Sequence, residues 1–351
     1  MVVVGTDVHK RTHTFVAVDQ VGRKLGEKVV PATTAGHLKA LAWARLEFDE
    51  DLLWGIEDCR NLSARLERDL LSANQQVVRV APKLMAQTRA SARTRGKSDP
   101  IDALAVAQAV LRHPDLPSAA HDEVSYELKL LVDRREDLVA QRTSTINRLR
   151  QRVHQLDPAA EPKLASLHRE RPRALLAEWL DTQDGLLAQL ARDELADVTR
   201  LTASIDALAI GISERVRTAA PFLLELPGCG ELTAAKLVAE TAGINRFNSE
   251  AAFARHSGVA PVPVWSGNTA GRVRLSRSGN RQLNAALHRI AITQIRLTAS
   301  PGHAYYRKRL AGGNSKTEAL RCLKRRLARI VYQRLRTDAH TQHHKDQPAA
   351  A

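Results

Sequence analysis

Asp7, Glu57, Asp99 and Asp102 are the residues whose type and spacing could do chemistry. Asp7 closes the apolar run that starts at Val2, Glu57 closes a second run that starts at Leu52, and Asp99 and Asp102 open a helical pattern. Asp99 and Asp102 are three residues apart, which puts both carboxylates on one face of a helical turn. Four carboxylates gathered together repel one another unless a cation neutralises them, and hard oxygen ligands select Mg²⁺ or Mn²⁺. Two such ions about 3.5–4 Å apart stabilise both the attacking and the leaving oxygen of a phosphodiester cleavage. There are plainer readings. Asp99, lying before Pro100, could simply cap its helix, and Asp58 points to the other side of the strand that ends at Glu57, which makes it a control.

The elements that would position these acids follow from the apolar pattern. Val2 to Val8, Thr12 to Asp19 and Lys24 to Pro31 read as three strands, followed by a helix from about Thr34 to Glu47 with Thr33 or Thr34 as its cap. Leu52 to Glu57 is a buried-type strand, Leu62 to Leu71 a helix, Val77 to Ala81 a strand and Ile101 to Leu111 a helix. The order βββαβαβα is that of an α/β ribonuclease-H-like domain, a mixed sheet with helices on both faces. In that topology the first and fourth strands are neighbours, so their carboxyl ends and the start of the last helix converge. An actin-like ATPase also begins with Gly-Thr-Asp on a first strand, but the second Gly-rich phosphate loop it needs is absent before residue 120.

From Val124 to about Leu156 the pattern turns helical, with Val132, Val139, Ile146 and Val153 seven apart and Leu128, Leu149 and Leu156 on the companion seam. That is a coiled-coil pattern. Asp157-Pro158, Pro162 and Pro172 are expected to break it before Val198, Leu201, Ile205, Leu208 and Ile212 resume the spacing, giving an antiparallel helical hairpin that could also dimerise. Leu226-Pro-Gly-Cys-Gly230 with the following Leu232, Ala234, Ala235 and Leu237 is similar to a helix-hairpin-helix element, so Gly228 and Gly230 would let backbone N–H groups approach a phosphate. A glycine turn between two core helices is the alternative.

The formal net charge of +15 calls for a polyanionic partner. The excess is concentrated: between Gly267 and Arg336 there are seventeen Lys and Arg against the single acid Glu318. A solvated face explains a short charge run but not seventy residues of this composition, so nucleic-acid contact is expected. No stretch approaches the roughly 18 apolar residues of a spanning helix, and the Met1-Val-Val-Val-Gly start lacks a charged n-region, so a cytoplasmic protein with no membrane partner is expected. Cys59, Cys229 and Cys322 are too scattered for a zinc site. The histidines after Thr337 lack a partner cluster, and residues 338–351 read as a disordered tail.

Val4-Gly-Thr-Asp-Val-His-Lys10, the Glu57 strand and Lys97-Ser-Asp-Pro-Ile-Asp-Ala103 resemble the DEDD motif of insertion-sequence transposases whose catalytic domain is similar to the Holliday-junction resolvase RuvC. Where that family usually has a small residue pair ending in Gly after the glutamate, Asp58-Cys59-Arg60 stands here. Phe253 to Pro261, Trp265-Ser-Gly267 and Arg272 to Arg281 are similar to the family's C-terminal transposase domain. The resemblance implies a RuvC-like catalytic domain over residues 1–122, a coiled-coil hairpin over 123–217 and a mostly α-helical C-terminal transposase domain over 218–337. It also implies a site-specific recombinase that joins the metal site to a serine nucleophile and acts on DNA under a structured bridge RNA as guide; since recombination handles strands at two DNA sites together, a dimer or tetramer is expected.

Carried over residue by residue, Ser266 is the nucleophile, with Ser257, Ser276 and Ser278 as rivals. Arg272, Arg274, Arg277 and Arg281 suit phosphate or RNA contact, where a planar guanidinium offers paired donors. Two other functions fit the same residues less fully: a RuvC-like junction-resolving nuclease that uses water, and a non-catalytic nucleic-acid-binding protein. The second would be expected to lack an acid, and all four are present.

Overall fold

The computed structural model describes the whole chain except residues 49–50, 58–61, 91–97, 115, 120–121, 160–165, 264–265, 267, 269–272, 276–278 and 347–351. The N-terminal region is a five-stranded sheet in the order β3-β2-β1-β4-β5, built from β1 (Val2–Val8), β2 (Thr12–Val18), β3 (Lys24–Pro31), β4 (Leu52–Glu57) and β5 (Gln76–Val80). β1 runs antiparallel to β2 and parallel to β4, and β4 runs parallel to β5. This is the ribonuclease-H-like arrangement expected from the sequence. Helices α1 (Thr34–Phe48) and α2 (Ala64–Ser72) join one core that contains Phe15, Trp43, Trp54 and Leu66. A second core, around Val3, Val16, Val78 and Val106, belongs to α3 (Pro82–Ala90) and α4 (Asp99–Arg112). Thr33 caps α1 through its hydroxyl, which accepts from Gly36 N at 3.2 Å.

Two glycines decide how closely α4 sits on the sheet. A Cβ on Gly5 would lie 2.2 Å from the Ala103 carbonyl oxygen and 2.4 Å from Ala107 N, and one on Gly55 would lie 2.6 Å from Val110 Cγ2. Gly5 and Gly55 are partners in the β1–β4 ladder, so together they form a shallow seat for the helix. Gly5→Ala is therefore expected to lower stability by about 3 kcal/mol or more, because the obstacle is backbone that no rotamer change relieves. A urea midpoint unchanged from wild type would show that α4 does not sit where the glycines place it.

The remaining helices are α5 (Glu123–Leu156), α6 (Glu170–Asp181), α7 (Leu186–Ala219), α8 (Pro221–Leu224), α9 (Glu231–Thr241) and α10 (Glu250–His256), then, beyond a short hairpin, α11 (Arg281–Arg296), α12 (Pro301–Ala311) and α13 (Lys316–Asp346). Strands β6 (Pro261–Pro263) and β7 (Val273–Leu275) form that hairpin. Two compact units result: Met1–Glu123 with Glu240–Ala351, and Val124–Ala239. In the second unit, Leu149, Val153, Leu195 and Val198 share a core, and Leu138 packs with Leu201 and Ile205. Lys236 of α9 is held there by Glu136 of α5 at 2.8 Å. The glycine turn before α9 thus belongs, by contacts, with the long helices rather than with the basic C-terminal region.

Three expectations are corrected. Pro172 does not break a helix, since it lies in the first turn of α6, where its missing N–H is not needed. α4 begins at Asp99 rather than Ile101, which places both aspartates inside its first turn. Helix α13 continues to Asp346 instead of giving way to an irregular tail at residue 338, and Leu335 and Asp338 are buried along it.

Candidate active site

Side-chain alternation carries the seat of α4 into the carboxylate cluster. Asp7 is two residues beyond Gly5 and Glu57 two beyond Gly55, so both acids project from the face that α4 covers. The first turn of α4 adds Asp99 and Asp102. Asp7 and Asp102 are buried, whereas the Asp99 side chain is 54% exposed. Burial pushes the Asp7 carboxyl above its ordinary pKa, His9 opposes that rise, and the charges of Asp102, Asp99 and Glu57 reinforce it. Asp7 therefore lies within the electrostatic reach of the other three acids.

His9 is a member of this group that reasoning from the sequence passed over. Its Nε2 is 3.0 Å from Asp7 Oδ2 and 3.2 Å from Asp99 Oδ1. Desolvation acts to lower its pKa, but the Asp7 and Asp99 carboxylates outweigh this and raise it. The signal was present as Asp-Val-His, because residues i and i+2 of an extended chain share a face.

The donor set fits a divalent cation. Ligand atoms of Asp7, His9 and Asp99 all lie within 4.8 Å of one another, and the buried Asp7 Oδ2 has only the poorly aligned His9 imidazole, at 3.0 Å, beside it. A buried carboxylate oxygen in that condition is costly unless a cation meets it. The raised pKa values of Asp7 and His9 have the same sign: the folded state binds extra protons, so metal-free stability falls as pH rises through their range. Mg²⁺ should relieve this strain, so the melting-temperature increase on adding it is expected to be larger at pH 8 than at pH 5 and to shrink in Asp7→Asn. Equal increases at both pH values, measured by scanning fluorimetry, would remove Asp7 from the cation site.

Other predicted residues stand on separate elements. Gly228 has φ of +81° in the turn between α8 and α9, and a Cβ on Gly230 would meet nothing within 4 Å. The first residue of α9, Glu231, is paired with Arg217 at 2.6 Å, so any phosphate arriving there would meet a carboxylate. Ser266 is exposed, in the connection between β6 and β7. Ser257 is fully buried, and its hydroxyl donates to the Phe253 carbonyl at 2.8 Å. Arg274 is the middle residue of β7, and Arg281 is exposed at the start of α11. Asp58, Arg272, Ser276, Arg277 and Ser278 lie outside the described residues.

Comparison with known proteins decides the family. Residues 4–158 match the DEDD-motif transposase family of IS110, and residues 220–307 match the transposase family IS116/IS110/IS902. The chain belongs to this transposase family. The transposase is 27% identical to the uncharacterized 44.8 kDa protein of insertion element IS116 from Streptomyces clavuligerus, over 95% of this chain and 94% of that one. It is also 27% identical to the uncharacterized 42 kDa protein of insertion element IS900 from Mycobacterium paratuberculosis, over 95% and 96%. The mini-circle putative transposase for IS117 from Streptomyces coelicolor is 26% identical, over 96% and 94%. Among solved structures, T. thermophilus RuvC in complex with a Holliday junction substrate aligns with 32% of the transposase and 94% of its own chain, at 15% identity and a TM-score of 0.27. No helix among the described residues is long and apolar enough to cross a membrane.

Proposed function

We propose that this transposase cuts and rejoins DNA at the ends of its own mobile element through a phosphoserine intermediate, with Asp7, Glu57, Asp99 and Asp102 as its metal-holding acids and Ser266 as its nucleophile. The observation that carries this reading is the convergence of the four acids at the ends of β1 and β4 and the first turn of α4. A divalent cation, Mg²⁺ or Mn²⁺, bound there supplies Lewis-acid charge at the scissile phosphate. Ser266 Oγ forms a bond to phosphorus as the bond to one deoxyribose oxygen breaks, the serine proton is lost and the departing oxygen gains one. The ester conserves the bond energy, so a hydroxyl from another strand reverses the step and joins the DNA without ATP. Incubation with labelled element-end DNA and denaturing electrophoresis tests this directly, since a water nucleophile leaves no adduct.

The basic C-terminal region is the proposed nucleic-acid face. Arg281, Arg289, Arg307, Lys308, Arg321 and Arg336 are exposed on its helices. Arg272, Arg274 and Arg277 extend this set in sequence, and Gly228 and Gly230, which belong to the other compact unit, are proposed as a separate backbone contact. We assign it to DNA and to a structured bridge RNA, and expect affinity for either to fall by about 10³-fold or more between roughly 50 and 200 mM salt if six or more phosphates are contacted. A flat response in a filter-binding titration would refute the assignment. Recombination handles two DNA sites together, which calls for a dimer or tetramer. Exposed Val124, Tyr126 and Leu130 along α5 support the long helices as the contact. The proposed working parts are the RuvC-like domain over 1–122, the helical hairpin and the C-terminal transposase domain.

A further inference from the structure

The hairpin that carries Ser266 is too short to orient itself. Its strands pair through three residues each, Pro261 with Leu275, Val262 with Arg274 and Pro263 with Val273, and all three β6 residues are exposed. An isolated two-stranded ribbon is marginally stable at best in water. Its direction must be set at its base, where the chain leaves α10 and enters α11.

That base is built with unusual economy. Gly279 has φ of +100°, and a Cβ there would lie 2.7 Å from both Gly258 N and His256 O, so the two ends of the hairpin are pressed together. Asn280 N donates to His256 O at 2.6 Å. The Asn280 side chain caps α11, accepting from Gln282 N and Leu283 N, and its Nδ2 donates to Glu240 Oε2 at 2.6 Å. One turn later, Asn284 Nδ2 donates to two successive carbonyls, Ser257 O and Gly258 O, each at 3.1 Å. Asn284 Oδ1 accepts from Lys324 Nζ of α13 at 2.5 Å.

The chemistry of these groups fixes the direction of every bond. An ammonium only donates and a backbone carbonyl only accepts, so a flipped Asn284 amide would lose all its partners. Lys324 is also oddly placed for a lysine. It is half-buried, its pKa is lowered by burial, and it forms no ion pair with a carboxylate among the described residues. A partly desolvated ammonium held on an amide oxygen gives up hydration without a full opposite charge in return. Its place is explained by the direction it imposes on Asn284.

We propose that Asn284 and Lys324 are positioning residues for strand transfer: Lys324 orients the Asn284 amide, which clamps the Ser257 and Gly258 carbonyls at the base of the hairpin and so aims Ser266. The proposal rests on Ser266 as the nucleophile, and its test separates the two ideas. Asn284→Asp keeps an acceptor for Lys324, and so keeps α11 tied to α13, but turns the donor facing the two carbonyls into an acceptor that repels them.

Hydrogen exchange of the Val262 amide of β6 and of the β7 amides, together with adduct formation, would be measured on full-length protein purified with its bound nucleic acid, using a labelled duplex bearing the element end. In Asn284→Asp the hairpin amides should exchange about tenfold faster or more while the melting temperature and DNA affinity hold. Adduct yield should drop about 10- to 100-fold, the scale expected for a reacting group displaced by about 1 Å. Lys324→Met should shift both readouts the same way. Unchanged hairpin exchange would overturn the clamp. Faster exchange with wild-type adduct yield would overturn its role in aiming the serine. Ser266→Ala run alongside judges the nucleophile separately, because an adduct persisting there removes that assignment whatever the exchange shows.

Discussion

Asp7→Asn and Asp102→Asn are each expected to reduce DNA cleavage by about 10³-fold or more, corresponding to about 4 kcal/mol or more of transition-state stabilisation. The fold should survive. Both side chains are buried beside other acids, so neutralising either relieves repulsion, and the melting temperature without added metal should hold or rise. An asparagine still offers one oxygen but no charge, which weakens cation binding more than packing. Cleavage of labelled DNA in Mg²⁺ is the decisive assay. Activity within a few fold of wild type in both variants, with folding intact, would remove the cluster from the mechanism.

Ser266→Ala separates a recombinase from a simple nuclease. Neither cation binding nor phosphate contact by the basic helices uses this hydroxyl, so DNA affinity and the Mg²⁺-dependent thermal shift should match wild type. Covalent adduct and recombinant product should both vanish. If recombination continues at the wild-type rate, the nucleophile is another group. Ser257 is a poor substitute, since its hydroxyl is committed to Phe253 in the interior. Ser276→Ala and Ser278→Ala complete the comparison.

Much of the N-terminal fold was legible because its strands are short apolar runs bounded by turns, and the order βββαβαβα admits few sheets. The seating of α4 was harder to see. Gly5 and Gly55 look like ordinary strand glycines until the ladder pairs them under one helix. α3 escaped notice because only nine residues separate Pro82 from Ala90 inclusive and no strong cap precedes them. Pro172 misled for a positional reason, since a proline that ends one helix and a proline that begins the next look alike in sequence. His9 illustrates a different limit. Its neighbours Asp7 and Asp99 are ninety-two positions apart in sequence, and only the packing of α4 brings the second within 3.2 Å of the imidazole. The clamp around Asn284 is of the same kind, as it joins the turn after α10 to α11 and α13 through side-chain bonds that no local pattern encodes.

The glycine seat has a consequence for adaptability. Where helix and sheet normally meet through interdigitated side chains, small rotamer changes let one layer slide over the other. Beneath α4, at Gly5, backbone meets backbone and that lubricating layer is missing at this point, while Val3, Val16 and Val106 pack around it. The strand acids and the helix acids must then move as one block. On the proposed reading of these carboxylates, a site built this way keeps one shape for every DNA sequence it meets, so tolerance of different targets would reside in the nucleic acid or in the separate elements that bring it to the block.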